Sequence, residues 1–136
     1  MNNCIFCNII GGQMNAATIF ENSEFKVIMD RFPASRGHIL IIPKEHIENI
    51  FELDSETGSR LFALATHLAK VLKQKLNCEG LNVLQNNGVA AGQTVPHFHL
   101  HLIPRYTDDK VSFGWETLQV TEDELSEMAK EINKSI

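Results

Sequence analysis

The chain has 136 residues, of which 43% are hydrophobic, and a formal net charge of −5. This length and composition predict one globular domain that buries a real core, and they exclude intrinsic disorder. The negative charge gives no support for nucleic-acid binding, and because no stretch approaches about 18 consecutive apolar residues, we expect a soluble, cytoplasmic protein without a membrane partner.

Two cysteines near the start, Cys4 and Cys7, form a C-x2-C pair. A tight turn brings two such thiolates to one point, where both can bind the same metal ion. The other ligands must come from elsewhere, since there is no second C-x2-C pair; two small residues under a loop are the alternative. A stable disulfide is disfavoured in the cytoplasm, and we interpret Cys78 as a buried structural thiol.

Apolar runs bounded by turn residues predict the strands of the chain. We expect strands at residues 17–20, 25–29, 39–42, 81–84 and 98–103. Leucines at helical spacing predict a long helix at residues 55–76, with Asp54 or Ser55 as its N-cap. A capping box from Thr121 to Glu124 predicts a C-terminal helix. These elements favour an α+β fold, in which an antiparallel sheet packs with the long helix.

A glycine- and amide-rich loop, residues 86–96, connects the last two predicted strands. Gly88 and Gly92 permit positive φ and a close backbone approach, and Gln93 and Thr94 add neutral hydrogen-bond donors. Such a loop suits a phosphate or a nucleotide oxygen, although the loop alone is equally explained as a plain connection.

His97, His99 and His101 alternate with apolar residues in the run HFHLHLI. Alternation is the period of a β-strand, so the three imidazoles should share one face while the apolar residues enter the core. Imidazole serves as nucleophile, acid or base, anion clamp or metal ligand near neutral pH. Three imidazoles on one strip of the surface predict a catalytic or binding role. His38, beside Gly37 at a strand start, is instead expected to be simply half-buried.

The run HFHLHLI, residues 97–103, resembles the histidine triad signature at every position. Three further segments are similar to that family: GQTV before the triad, GHILIIPKEH at residues 37–46, and CIFCNII at residues 4–10. The resemblance covers residues 4–105. It implies a HIT-like α+β fold in a single domain, residues 1–136, with a C-terminal extension at residues 106–136, and assembly as a homodimer.

The same resemblance implies a zinc site. By correspondence with many bacterial members of the family, the ligands are Cys4, Cys7, His46 and His97. Two thiolates and two imidazoles close a tetrahedral shell, which makes such a zinc structural. The resemblance implies no organic cofactor.

Members of this family hydrolyse or transfer nucleotides at the α-phosphate, and the resemblance implies a purine nucleoside phosphoramidate as substrate. His99 corresponds to the nucleophile, which forms a nucleotidyl-histidine that water hydrolyses. His101 is placed to donate a hydrogen bond to a phosphate oxygen. Four polar residues correspond to substrate-binding positions of the family: Gln93 at the phosphate, Thr94 at the leaving group, Asn86 at the α-phosphate or ribose, and Asp30 at the ribose hydroxyls. Phe6 and Ile9, with Ile28, are candidates for the base pocket, with plain core as the alternative, and Val95 is a further nucleotide-binding candidate.

Three other functions stay open at this point. A dinucleoside polyphosphate is an alternative substrate, since Thr94 does not discriminate between the two classes. The three triad histidines could instead hold a catalytic zinc and an activated water. The third alternative is a non-catalytic nucleotide-binding or scaffold protein, for which a nucleophile at His99 would be superfluous.

Overall fold

The computed structural model describes residues 3–136. Its strands are β1 (Thr18–Glu21), β2 (Phe25–Met29), β3 (Ile39–Pro43), β4 (Gly80–Leu84) and β5 (Leu100–Arg105). Its helices are α1 (Ile5–Ile10), α2 (Ser55–Leu76) and α3 (Glu122–Asn133), and a short 3-10 turn covers Val89–Ala91. The strands form one antiparallel sheet in the order β1-β2-β3-β5-β4, which confirms the predicted fold class.

Helices cover both faces of the sheet at β3, which explains why that strand is an unbroken apolar run. Ile39 and Ile41 face α2 and belong to the larger core cluster. Leu40 and Ile42 face the opposite way and pack with α1 in a second, smaller cluster. The two sides of β3 therefore separate a structural core from the side that carries the histidines.

The long helix α2 occupies the predicted residues. The Asp54 carboxylate accepts from the Thr57 N–H at 2.8 Å and caps the N-terminus. Asn77, in the left-handed conformation with φ 52°, ends the helix. Leu61 and Leu68 lie on the buried stripe. Local signals alone determine both ends of this helix.

Two predictions about the site segments are corrected by the structure. The predicted tight turn at Cys4 and Cys7 is instead the start of α1, where the Cys4 sulfur caps the helix by accepting from the Cys7 N–H. The last strand begins at Leu100, not at residue 98, because the Phe98 N–H donates to the Ile47 carbonyl at 2.6 Å, outside the ladder.

The C-terminal helix α3 forms behind the predicted capping box of Thr121 and Glu124. All its residues are exposed, so it does not pack on the sheet. No helix within residues 3–136 is long and apolar enough to cross a membrane.

Candidate active site and metal cluster

The three alternating histidines lie on the α1 side of the sheet, although only His101 belongs to β5. Phe98, between the first two, enters the core on the α2 side. His97 and His99 are buried, and the Phe6 ring of α1 lies edge-on to both, with centroids 5.8 and 4.9 Å apart. Helix α1 therefore forms a wall of the site.

Two contacts hold the His97 ring in place. Its Nε2 donates to the Pro43 carbonyl at 2.8 Å, which leaves Nδ1 with a lone pair. That Nδ1 lies 3.2 Å from the Cys4 sulfur, 3.6 Å from the Cys7 sulfur and 3.1 Å from the Nδ1 of His46. Four possible ligand atoms thus lie within 4.8 Å of one another.

The composition and orientation of this cluster fit zinc. Two sulfurs and two ring nitrogens are the ligands of closed tetrahedral zinc sites, and the Cys7 sulfur also lies 3.3 Å from the Nδ1 of His46. The bond from His97 to the Pro43 carbonyl is of the kind that orients a metal-bound imidazole. A metal here would tie the start of α1 to the end of β3.

A backbone bond also sets the orientation of His99. Its Nδ1 lies 2.8 Å from the His97 carbonyl oxygen and must donate to it, because a carbonyl only accepts. Nε2 therefore carries the lone pair. Burial lowers the pKa of His99, and the bond to the carbonyl opposes this shift only in part. The result is a buried, neutral ring whose free nitrogen can act as a nucleophile.

His38, which the sequence suggested was only half-buried, is buried and belongs to the site. Its Nδ1 accepts from the Ala34 N–H at 2.9 Å, so we assign its proton to Nε2. That Nε2 lies 2.9 Å from the Nδ1 of His101 and 3.3 Å from a carboxylate oxygen of Asp30. Because the Nε2–H of His38 donates to the Nδ1 of His101, the ring proton of His101 lies on the Nε2 of His101.

Asp30, His38 and His101 are grouped closely enough to suggest metal ligands. A metal on the His38 Nε2 would require loss of both ring protons, because the Ala34 N–H already holds Nδ1 as an acceptor. We therefore interpret this group as a hydrogen-bond relay. Burial, reinforced by His99 and His38, lowers the pKa of His101 to about 4, so its ring is neutral at pH 7.

The spacing of residues along β3 is the sequence signal that would have identified His38 as a residue of the site. Leu40 and Ile42 share one side of β3, His38 precedes the strand with the same parity, and Leu40 pairs with His101 in the ladder. A lone histidine beside a glycine shows no periodic pattern. His38 nevertheless lies two residues before Leu40, and this spacing places it on the side of the sheet that carries the triad histidines.

Asp30 begins a turn and also lies at the site. One carboxylate oxygen accepts from the Phe32 N–H at 2.8 Å, and the other lies 3.9 Å from the Nδ1 of His101. The turn and the site thus use different oxygens of one side chain.

The predicted phosphate contact Gln93 is engaged by three backbone groups, two in its own loop and one at Glu48. Its Oε1 accepts from the Gly88 N–H at 2.7 Å, and its Nε2 donates to the carbonyls of Glu48 and Val95 at 2.8 and 3.1 Å. Both amide hydrogens are used, so Gln93 holds the loop in shape. Asn86 lies across the same loop beside Gly92.

The remaining predicted residues lie around α1 and the cluster of Cys4, Cys7, His46 and His97. Thr94 and Val95 line a depression of about 390 Å³ together with Cys4 and His46. Ile9 is buried in the smaller core cluster with Phe6. These positions put the apolar candidates of α1 in the packed wall of the site.

The triad histidines do not converge on one point. His97 faces the cysteines, the His99 Nδ1 faces a carbonyl, and the His101 Nδ1 faces His38. Among residues 3–136, no group of possible ligand atoms unites the three. This geometry argues against a catalytic metal held by the triad.

Comparison with known proteins agrees with the family resemblance of the sequence. The family model described as HIT domain matches residues 11–108. The chain is 34% identical over 134 residues to adenosine 5'-monophosphoramidase hnt1 of Schizosaccharomyces pombe, covering 98% of each chain.

Two solved structures share the fold. A HIT family protein from Bacillus anthracis is 40% identical, with a TM-score of 0.93 over 99% of this chain and 98% of that one. A zinc-bound histidine triad family protein from Mycobacterium smegmatis is 33% identical, with a TM-score of 0.77 over 98% of each chain.

Proposed function

The chain belongs to the histidine triad (HIT) family, and on that premise we propose that it is a hydrolase of purine nucleoside phosphoramidates. The nucleophile is the Nε2 of His99. The observation that carries this proposal is the bond from the His99 Nδ1 to the His97 carbonyl, which leaves Nε2 with a lone pair. The name of the Schizosaccharomyces pombe relative supports the substrate class.

The reaction takes place in two displacements at the α-phosphorus. In the first, the His99 Nε2 forms a bond to phosphorus, the bond from phosphorus to the amine breaks, and the leaving nitrogen takes up a proton from solvent. In the second, water attacks phosphorus and releases a proton to solvent, the bond to Nε2 breaks with its electron pair returning to the ring, and the nucleoside monophosphate leaves. The His97 carbonyl stabilises the positive charge that the ring acquires between the two steps.

His101 serves as the oxyanion donor. Its Nε2–H, fixed by the relay through His38, donates to a non-bridging phosphate oxygen, where charge develops in the transition state. A single preorganised donor of this kind is worth about 10²–10³ in kcat. Asp30 accepts from the ribose hydroxyls through the oxygen that the turn leaves free.

The other candidates shape the site around these groups. Gln93 positions the phosphate loop through its three backbone bonds. Thr94, which lines the depression beside Cys4 and His46, presents its hydroxyl to the leaving group, and Asn86 contacts the α-phosphate or the ribose. Phe6, Ile9 and Val95 form the apolar side of the nucleotide pocket.

Cys4, Cys7, His46 and His97 would hold a structural zinc. Its chemistry there is to crosslink α1 to the end of β3, which keeps Phe6 against the His99 ring. The zinc-bound relative from Mycobacterium smegmatis supports this assignment.

The test is turnover of a fluorogenic adenosine phosphoramidate by the native chain and by His99→Ala, with zinc measured on the same samples. We expect turnover by the native chain only, with about one zinc per chain in both. His67→Ala, on the exposed surface of α2, is the matched control and should retain full activity.

Other results would overturn the proposal. Binding of adenosine monophosphate without turnover would make the protein a nucleotide-binding or scaffold protein. Faster turnover of a dinucleoside polyphosphate than of the phosphoramidate would change the substrate class. Loss of zinc together with activity in His99→Ala would support a catalytic metal.

A further inference from the structure

The cluster of Cys4, Cys7, His46 and His97 lies half in the core and half at the surface. Cys4 and His97 are buried, Cys7 is partly exposed and His46 is exposed. A depression of about 390 Å³ borders the cluster at Cys4 and His46. A small solute can therefore reach the cluster from solvent without unfolding of the chain.

The two cysteines of the cluster are close enough to react with each other. Their sulfurs lie within 4.8 Å of each other, and both lie beside one atom, the Nδ1 of His97, at 3.2 and 3.6 Å. They are not joined by a disulfide in the structure. The Cys4 sulfur also accepts from the Cys7 N–H at 3.4 Å, so the pair is held together at the start of α1.

The backbone at Cys4 permits the closure that a disulfide needs. Residues three apart on a helix have Cβ atoms about 5–6 Å apart, whereas a disulfide requires about 3.5–4.5 Å. Cys4 precedes α1 and has the extended conformation, with φ −76° and ψ 117°. Closing the remaining gap therefore moves the residue before the helix and leaves the turns of α1 in place.

We propose that Cys4 and Cys7 form a reversible dithiol–disulfide site that hydrogen peroxide oxidises, and that the oxidation releases the metal of the cluster. Cys7 is the more accessible of the two and reacts first, and Cys4 is the resolving cysteine. A solvent-accessible cysteine beside a resolving one is the arrangement of redox-sensor sites. In a reducing compartment such a disulfide is transient and serves regulation.

Hydrogen peroxide alone balances the reaction. In the first step the Cys7 sulfur forms a bond to one peroxide oxygen, the O–O bond breaks, and the leaving oxygen takes up a proton to give water. In the second step the Cys4 sulfur forms a bond to the Cys7 sulfur, the S–O bond of the sulfenic acid breaks, and hydroxide takes up a proton to give a second water. The sulfurs lose two electrons in total, and the two protons come from the thiols, or from solvent where the sulfurs begin as metal-bound thiolates.

Oxidation removes two of the four ligands, because the thiolate is the form of cysteine that binds a metal. His46 and His97 alone do not close a tetrahedral shell. The His97 ring keeps its bond to the Pro43 carbonyl, so the disulfide loosens α1 rather than the triad segment. Helix α1 carries Phe6 against the His99 ring, and the effect on turnover, which rests on the proposed function, follows from the loss of this wall.

Differential alkylation with mass spectrometry tests the site in the zinc-loaded native chain, with a chromophoric chelator to follow zinc release. One equivalent of hydrogen peroxide per chain should join Cys4 to Cys7, release zinc in proportion and leave Cys78 as a thiol. Cys78 is 2% exposed and lies outside the cluster, so it is the internal reference. Dithiothreitol with added zinc should restore both thiols and the metal, and Cys78→Ala should respond like the native chain.

The metal-free chain should form the same disulfide, so this part of the test is independent of zinc binding. Oxidation of Cys78 ahead of the pair, a sulfinic acid on Cys7 without a disulfide, or a disulfide that leaves zinc bound would each overturn the proposal.

Turnover separates this proposal from the proposed function. The oxidised chain should show a kcat about tenfold lower, restored on reduction, and an unchanged kcat would overturn the link to the active site. A chain that forms the disulfide but never cleaves the phosphoramidate would support the redox site and refute the proposed function. A chain that cleaves the phosphoramidate but forms no disulfide would refute only the redox site.

Discussion

The Nε2 of His38 lies 2.9 Å from the Nδ1 of His101 and connects the start of β3 to the last histidine of the triad. The Ala34 N–H holds the opposite nitrogen of His38 as an acceptor. One backbone amide therefore determines, through two rings, which nitrogen of His101 carries a proton toward the substrate.

Removal of His38 should impair chemistry more than binding. In His38→Ala the orientation of the His101 proton is no longer fixed, and we expect kcat to fall about 10–100-fold with little change in KM. His38→Gln, whose amide can donate to the His101 Nδ1, should restore part of the loss. Steady-state kinetics check this, with His67→Ala as the control. A rise in KM at unchanged kcat would contradict the relay.

Acid should destabilise the fold through His101. Burial lowers its pKa from 6.5 to about 4, with His99 and His38 adding repulsion and Asp30 opposing it. The unfolded chain therefore takes up a proton on this ring below about pH 6.5, while the folded chain does so only near pH 4. The contribution of His101 to the free energy of unfolding is therefore fully present above pH 6.5. It is lost as the pH falls toward 4, which costs about 3 kcal/mol for this group.

Urea unfolding at several pH values measures that loss. His101→Gln has no titrating ring at this position, so its free energy of unfolding should fall less between pH 7 and pH 4. An unchanged pH dependence in His101→Gln would show that other groups account for it. His67→Gln should behave like the native chain.

Loss of one metal ligand should release zinc and destabilise the protein. Cys7→Ser should reduce the zinc content well below one per chain and lower the melting temperature. Chelation of zinc from the native chain should have the same effect. It removes the stabilisation that zinc binding gives, which is about 3 kcal/mol when free zinc is at a hundred times its Kd. Elemental analysis and thermal unfolding check both. Cys78→Ala removes a thiol outside the cluster and should retain the metal; loss of zinc there would contradict the assignment.

Gly37 should not tolerate a side chain. It has φ +89°, and an added Cβ would overlap the Leu76 side chain and approach the Pro104 ring to 3.3 Å. We expect Gly37→Ala to cost about 1–3 kcal/mol of unfolding free energy. Gly114→Ala, with open space around it, should be close to neutral. Equal urea midpoints for the two variants would show that neither strain nor overlap matters at Gly37.

Several features follow from the sequence because their causes are local. The N-cap at Asp54 and the spacing of the helix's leucines set α2, the unbroken apolar run at residues 39–42 predicts β3, and the capping box at Thr121 sets α3. The alternation of His97, His99 and His101 places them on one side of the sheet even where the strand itself has not begun.

Other features depend on backbone groups that only the tertiary structure brings close. The Pro43 carbonyl holds His97 from 54 residues away, and the Ala34 amide sets the proton of His38, which faces His101 from 63 residues away. A side-chain pattern records which residues face the same way, because that depends on the period of the strand. It does not record which nitrogen of an imidazole bears the proton, because that depends on donors and acceptors supplied by distant backbone.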